Sequence, residues 1–307
     1  MLKDYRKTLE EYRQNNLDRA RLLIKCPDQP GIVAAVSTFL QNFGANILES
    51  SQYSEDPVGG TFFIRMEFAC PGLTDKKAEI ESEFAKIGAR FNMKYEFRYV
   101  SSLKKTAIFV SKEPHCLREL LWEWQNGDLM MDISCIISNY EDSRELAESL
   151  GIPFYYIPAN KEIRNEVEQK QLKILEEHNI ELIILARYMQ ILTPNFVSHY
   201  PKQIINIHHS FLPAFIGARP YERAFARGVK LIGATSHYVT NDLDEGPIIE
   251  QGVAIIEQGV ERVNHRDQVQ ELKKIGKNIE RSVLARAVKW HLQDRVIVTG
   301  NKTIVFD

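Results

Sequence analysis

The sequence predicts an α/β chain in two parts. Residues 20–100 form a ferredoxin-like βαββαβ unit, and residues 106–307, after a linker at 101–105, form a doubly wound, mostly parallel sheet. Three observations predict this. Within residues 21–100, four apolar strands and two amphipathic helices succeed one another in the order β, α, β, β, α, β. From residue 106 onward, apolar strands alternate with helices, the pattern of a parallel sheet covered on both faces. No run approaches the roughly 18 apolar residues of a membrane span.

Residues 1–19 are a polar leader, charged throughout. RLLIKC (21–26) reads as a strand cut off by Pro27-Asp28-Gln29-Pro30-Gly31. A helix follows, with Ile32, Val36, Phe39, Leu40 and Phe43 at three- and four-residue spacing and Gly44 closing it. Asn46 to Tyr53 is a strand, and a loop through Gly59-Gly60 leads into the alternating Phe62, Ile64, Met66 and Phe68. A helix near 74–88 and the aromatic strand RFNMKYEFRYV complete the unit.

The second part opens with TAIFVS (106–111), then a helix from Pro114 to Gln125, DISCIIS, a helix near 142–150, PFYYIP, a polar helix near 162–178 and IELIILA. Ligands of such a sheet bind at the carboxyl ends of its strands. The first strand runs into Ser111-Lys112-Glu113-Pro114-His115-Cys116, with no glycine-rich phosphate loop, so dinucleotide and P-loop chemistry lack support. A charge-rich helix over 262–281, continuing to about 291, reads as a solvated amphipathic cover, and RVIVTGNKTIVFD as a hairpin turning at Gly300.

Composition narrows the function. A net charge of −2 and a pI near 6.5 give no global attraction to nucleic acid or anionic lipid, leaving a small-molecule or protein partner. Cys26, Cys70, Cys116 and Cys135 show no CxxC spacing and read as buried free thiols of a reducing, cytoplasmic compartment. The Asn301-Lys302-Thr303 sequon then has no role as a glycosylation site.

Residues 204–247 carry the candidate chemistry. Asn206 and His208 stand two apart on an apolar run, so an extended chain points both to one side. A second β-like run, LIGATSHYV, ends in the polar turn 240–247, where a carboxylate could reach the pair. An amide, an imidazole and a carboxylate at strand ends suit proton transfer and oxyanion stabilisation. His208, His209 and His237 lack familiar metal spacing, and no metal is expected. His237 could support the site through a hydrogen bond. Met189-Gln190-Ile191-Leu192, leaving a core strand, reads either as a turn into a helix started at Pro194 or as the lining of a pocket for a flat ring.

ARYMQIL, INIHHSFLPAFIGARPYERA and GATSHYVTNDLDEGPII resemble successive motifs of the folate-dependent formyltransferase family, over roughly 105–290. The resemblance implies a catalytic set of Asn206, His208 and Asp244. It implies folate contacts at Met189, Gln190, Ile191, Leu192, Thr240, Asn241, Asp242 and Leu243. DQPGIV and FGANI resemble the ACT domain, a regulatory module that binds amino acids, which implies effector contacts at Asp28, Gly31, Ile32, Asn46 and Ile47. An ACT module ahead of this domain, with SKEPHC in place of a phosphate cradle, resembles the family's deformylating branch, in which water replaces the amine acceptor.

That resemblance implies hydrolysis of 10-formyltetrahydrofolate to tetrahydrofolate and formate. The reaction would balance the one-carbon pool and supply formate for processes that include purine synthesis. It implies a folate substrate, no separate cofactor, glycine or methionine as effector, and a homo-oligomer, dimer or tetramer, with neither nucleic acid nor membrane as partner. Two other readings stay open: a formyltransferase with another amine acceptor, and a non-catalytic amino-acid sensor on the same fold.

Overall fold

A computed structural model describes residues 5–306 apart from 57, 161, 211, 213–219, 230, 242–245 and 254–266. The chain divides into two compact units. One comprises Met1–Leu103 with Gln293–Ile297 and Ile304–Asp307, the other Lys104–Leu292 with Val298–Thr303.

In the first unit, α1 (Tyr5–Asn15) precedes β1 (Arg19–Pro27), α2 (Ile32–Asn42), β2 (Asn46–Ser54), β3 (Thr61–Ala69), α3 (Leu73–Arg90) and β4 (Lys94–Tyr99). The polar leader is therefore helical over most of its length, and Leu9 is its buried residue. The strands form an antiparallel sheet in the order β2-β3-β1-β4, the βαββαβ topology expected. Leu22, Ile24, Ile64, Met66 and Phe68 share one core with Val36, Leu40, Ile80 and Phe84 of the two helices.

Alternation sends Arg21, Arg65 and Glu67 to the opposite face, yet all three are buried. The chain beyond residue 292 covers them. Arg65 Nη2 donates to the Gln293 carbonyl at 3.0 Å, Arg21 Nη1 pairs with Asp294 at 3.0 Å and Arg295 Nη2 with Glu49 at 3.1 Å. Residues 293–297 and 304–307 thus cluster with the first unit, whereas the sequence-drawn boundary assigned everything after 105 to the second. A charged strand face resembles a solvated one until its partners are known.

The second unit holds β5 (Lys105–Val110), α4 (His115–Asn126), β6 (Asp132–Ser138), α5 (Arg144–Ser149), β7 (Phe154–Tyr156) and α6 (Arg164–Glu177). Then come β8 (Leu182–Ala186), α7 (Pro194–His199), β9 (Ile204–His208), α8 (Pro220–Arg227), β10 (Gly233–Tyr238), β11 (Ile248–Val253) and α9 (Val269–Leu292). A hairpin, β12 (Val296–Thr299) and β13 (Lys302–Val305), closes the chain, with Gly300 at φ 57° in its turn. The seven-stranded sheet runs β11-β10-β9-β8-β5-β6-β7, with β10 antiparallel to both neighbours and the pairings from β9 to β7 parallel. The doubly wound expectation holds. Three details differ or fall outside the expectation: α8 and β11 were not anticipated, and α9 begins at Val269, residues 262–266 of the expected helix lying outside the described residues.

Phe109, Ile137, Ile183, Leu185 and Ile204 pack with Val167, Leu175, Phe196 and Val197 of α6 and α7. Their buried neighbours Ile108, Ile136, Ile184 and Ile205 point to the other side by strand alternation. The chain order reverses between β5 and β8, so the open crevice of the sheet falls at the ends of those two strands.

Candidate active site

The site begins at β9 and β10. Their antiparallel register sets Asn206 opposite His237 and His208 opposite Thr235, so all four side chains share one face. Asn206 Nδ2 lies 3.2 Å from His237 Nε2, and His237 Nδ1 lies 3.1 Å from the Tyr238 carbonyl. A carbonyl only accepts, so Nδ1 carries the ring proton and Nε2 accepts from the Asn206 amide. One amide N–H is thereby used, and the second is left to donate.

Thr235 braces the turn after His208. Its hydroxyl donates to the Ser210 carbonyl at 2.9 Å and accepts from the Leu212 amide at 3.0 Å. His208 is 6 % exposed. Asp242, Leu243 and Asp244 lie outside the described residues; beyond them the Pro247 carbonyl accepts from the Tyr238 amide at 3.0 Å. Thr240 is half-buried and Asn241 exposed.

The segment 188–193 is pinned along its length. The Met189 amide donates to Ser111 Oγ at 3.0 Å, Gln171 Nε2 to Tyr188 Oη at 2.8 Å, and the Thr193 amide to the buried Glu168 at 2.8 Å. Thr193 caps α7 in turn, accepting from the Phe196 amide. Held this way, Met189 and Ile191 remain 55 % and 52 % exposed, while Gln190 and Leu192 are half-buried. Fixed backbone with apolar side chains left open suits a flat ring. Glu168 and Gln171 were missed by sequence reasoning, because both sit in what reads as a solvated polar helix.

A buried ion cluster adjoins the ends of β5 and β8. Glu280 of α9 is 1 % exposed, and its carboxylate is 2.7 Å from His115 Nε2, 3.3 Å from Arg187 Nε and 2.5 Å from Tyr221 Oη. Burial alone would raise the Glu280 pKa, but the His115 and Tyr221 hydrogen bonds and the Arg187 charge outweigh it and hold the carboxyl below its ordinary value. Lys277 pairs with Glu113 at 2.5 Å alongside. His115, Cys116 and Glu280 lie close enough to chelate a cation. Arg187 shares the Glu280 oxygen that faces His115, and burial pushes the Cys116 thiol well up, so the set suits an ion pair better than a metal.

In the first unit, the Asp28 carboxylate accepts from Ser54 Oγ at 2.5 Å. Gly31 takes φ 94° as the N-cap of α2, a left-handed geometry that glycine adopts without strain. Asn46 is exposed, Ile47 is half-buried and Ile32 is buried in the helix core, so its backbone amide rather than its side chain faces outward from the helix start.

Residues 104–288 match the formyl transferase family model and residues 20–83 the ACT domain model. Fold and site together define a member of the formyl transferase class that carries an ACT domain. A formyltetrahydrofolate deformylase of Bacillus subtilis (strain 168) is 64 % identical over 97 % of each chain. A crystal structure of a formyltetrahydrofolate deformylase from Pseudomonas syringae superposes with a TM-score of 0.87 at 42 % identity, covering 97 % of this chain and 99 % of that one. A glycinamide ribonucleotide transformylase from Symbiobacterium toebii gives a TM-score of 0.61 at 26 % identity, over 67 % of this chain and 95 % of its own. The chain belongs to the formyltetrahydrofolate deformylase family, whose reaction is hydrolysis of 10-formyltetrahydrofolate.

Proposed function

We propose that this chain hydrolyses 10-formyltetrahydrofolate at the β9–β10 strand ends, with Asn206 and His208 binding the oxygen of the formyl group. The observation that carries the reading is the Asn206–His237 hydrogen bond, which fixes the amide and leaves one N–H to donate. Water attacks the formyl carbon, the carbonyl electrons move to oxygen, Asn206 donates to that oxyanion, and His208, if protonated, adds a second, charge-assisted hydrogen bond. Asp244 orients the water and passes its proton to the departing N10. Met189 to Leu192 and Thr240 to Leu243 hold the pterin. No metal enters the scheme, since donors from Asn206 and His208 meet the charge that develops.

The deciding assay incubates the protein with 10-formyltetrahydrofolate and water alone and measures tetrahydrofolate and formate. Both should appear in equal amounts; release of neither would sink the reading. Asn206→Ala and His208→Ala should each lower turnover by roughly 10²–10³, and near-normal turnover of Asp244→Asn would remove the carboxylate from the scheme.

The ACT unit is proposed to bind glycine or methionine at the β1–α2 turn, where the exposed amides beginning α2 suit a carboxylate. Titration calorimetry with either amino acid tests this, and no heat from either would count against it. A homo-oligomeric, cytoplasmic enzyme without nucleic-acid partners fits this reading. Among the described residues, no helix is long and apolar enough to cross a membrane.

A further inference from the structure

The crevice at the switch point of the sheet is where a second substrate would enter beside the folate, and in this chain it contains Arg187. Arg187 follows β8 directly. Leu185 pairs with Asn206 in the parallel β8–β9 register, and two residues further on the chain turns, the Arg187 amide donating to the Leu185 carbonyl at 3.1 Å. It adopts φ 63°, a left-handed conformation that disfavours any side chain with a β-carbon. Its side chain is 13 % exposed and runs to the buried Glu280, which His115 and Tyr221 hold from the other elements. Its Nε and Nη1 atoms are buried without a hydrogen bond among the described residues, so the contact with Glu280 is one of charge and packing. A strained backbone position, occupied by a long cation and backed by a dedicated buried carboxylate, marks a side chain kept for what it does in the crevice.

We propose that Arg187 is a specificity-determining residue that closes the acceptor side of the site to amines and leaves room for water alone. The assignment rests on the hydrolytic reading above. The guanidinium fills the space an amine would need, and water is small enough to enter beside it. When an amine does enter, the chemistry is the same in outline. The formyl C–N10 bond breaks, a bond from the formyl carbon to the amine nitrogen forms, and the proton lost by the amine goes to N10.

The test is the product ratio. Arg187→Gly suits the local backbone, since glycine adopts this φ freely. The unsubstituted chain and the variant are each given 10-formyltetrahydrofolate with rising concentrations of glycinamide, a primary amine of near-neutral basicity. N-formylglycinamide and formate are then measured together. Their ratio does not move with a general loss of folding or folate binding. The unsubstituted chain should yield formate with at most a trace of formylglycinamide at every glycinamide concentration. Arg187→Gly should raise the formylglycinamide to formate ratio at least tenfold, and Arg187→Ala should raise it in the same direction.

Formate release by the unsubstituted chain and a variant, with an unchanged ratio, would overturn the assignment and leave the hydrolytic reading standing. Loss of both products from both variants would also overturn it, because a side chain that only fills the crevice is dispensable for hydrolysis. Absence of formate from the unsubstituted chain would overturn the hydrolytic reading and this assignment with it.

Discussion

At the scale of single residues, the proposed site depends on side chains outside the set assigned to the substrate. His237 touches Asn206 and the Tyr238 carbonyl, and its part is to keep the amide turned the right way. His237→Leu should therefore lower kcat by about threefold to tenfold, the value of one net hydrogen bond, with KM little changed; steady-state kinetics reads both. Glu280 shows a second kind of dependence. Its folded pKa lies below the unfolded value, so its stabilisation is complete above the ordinary carboxylate range and is lost as pH falls through the folded pKa. Denaturant titrations of the parent and Glu280→Gln should differ most at neutral pH and converge on the acid side of about 4.3, the ordinary glutamate pKa. A gap that widened in acid would contradict the assigned direction.

Elements convert those contacts into a site. The β9–β10 register aligns Asn206 with His237, and Gly246 lies against the end of β10. A β-carbon on Gly246 would lie 1.7 Å from the Tyr238 carbonyl oxygen and 3.3 Å from His237 Nδ1, and backbone cannot move aside as a side-chain tip can. Gly246→Ala should push Gly246 away from β10, weaken the His237 hydrogen bond and cut turnover by more than tenfold. The comparison to make is with Gly228→Ala, where nothing lies within 4 Å but φ is +67°. The second substitution should affect stability without a comparable fall in turnover. The α6 contacts matter in the same way. The 188–193 segment was legible as a ring-binding candidate, but the side chains pinning it were not, because Glu168 and Gln171 read as solvent-facing until β8 and α7 pack on them.

At the scale of the molecule, the first unit joins residues as far as 273 positions apart through charge. Arg65, 1 % exposed, pairs with Glu49 and Glu67 and donates to the Gln293 carbonyl. Burial alone would raise the Glu67 pKa, yet hydrogen bonding from Arg21 and the neighbouring arginine charges bring it below its ordinary value. Removing one member strands the others, so Arg65→Ala should cost roughly 3–5 kcal/mol in the unfolding transition of this unit. Arg65→Met, which keeps the bulk, should cost nearly as much, since the loss is electrostatic. Chemical denaturation followed by a probe in the first unit measures both.

By itself the sequence determined the two α/β units, the strands and helices carrying clear period-2 or period-3.6 patterns, and the Asn206–His208 pair, since alternation along one strand needs no knowledge of its neighbours. Its motifs also determined the family. Tertiary structure decided what depends on which segments meet. It brought His237 onto Asn206, moved Gln293, Asp294 and Arg295 onto the charged sheet face, and turned Glu280, read as a solvated residue of a cover helix, into a buried partner of Arg187. A charged side chain has the same local pattern whether it faces water or a distant ion partner, and folding alone distinguishes the two.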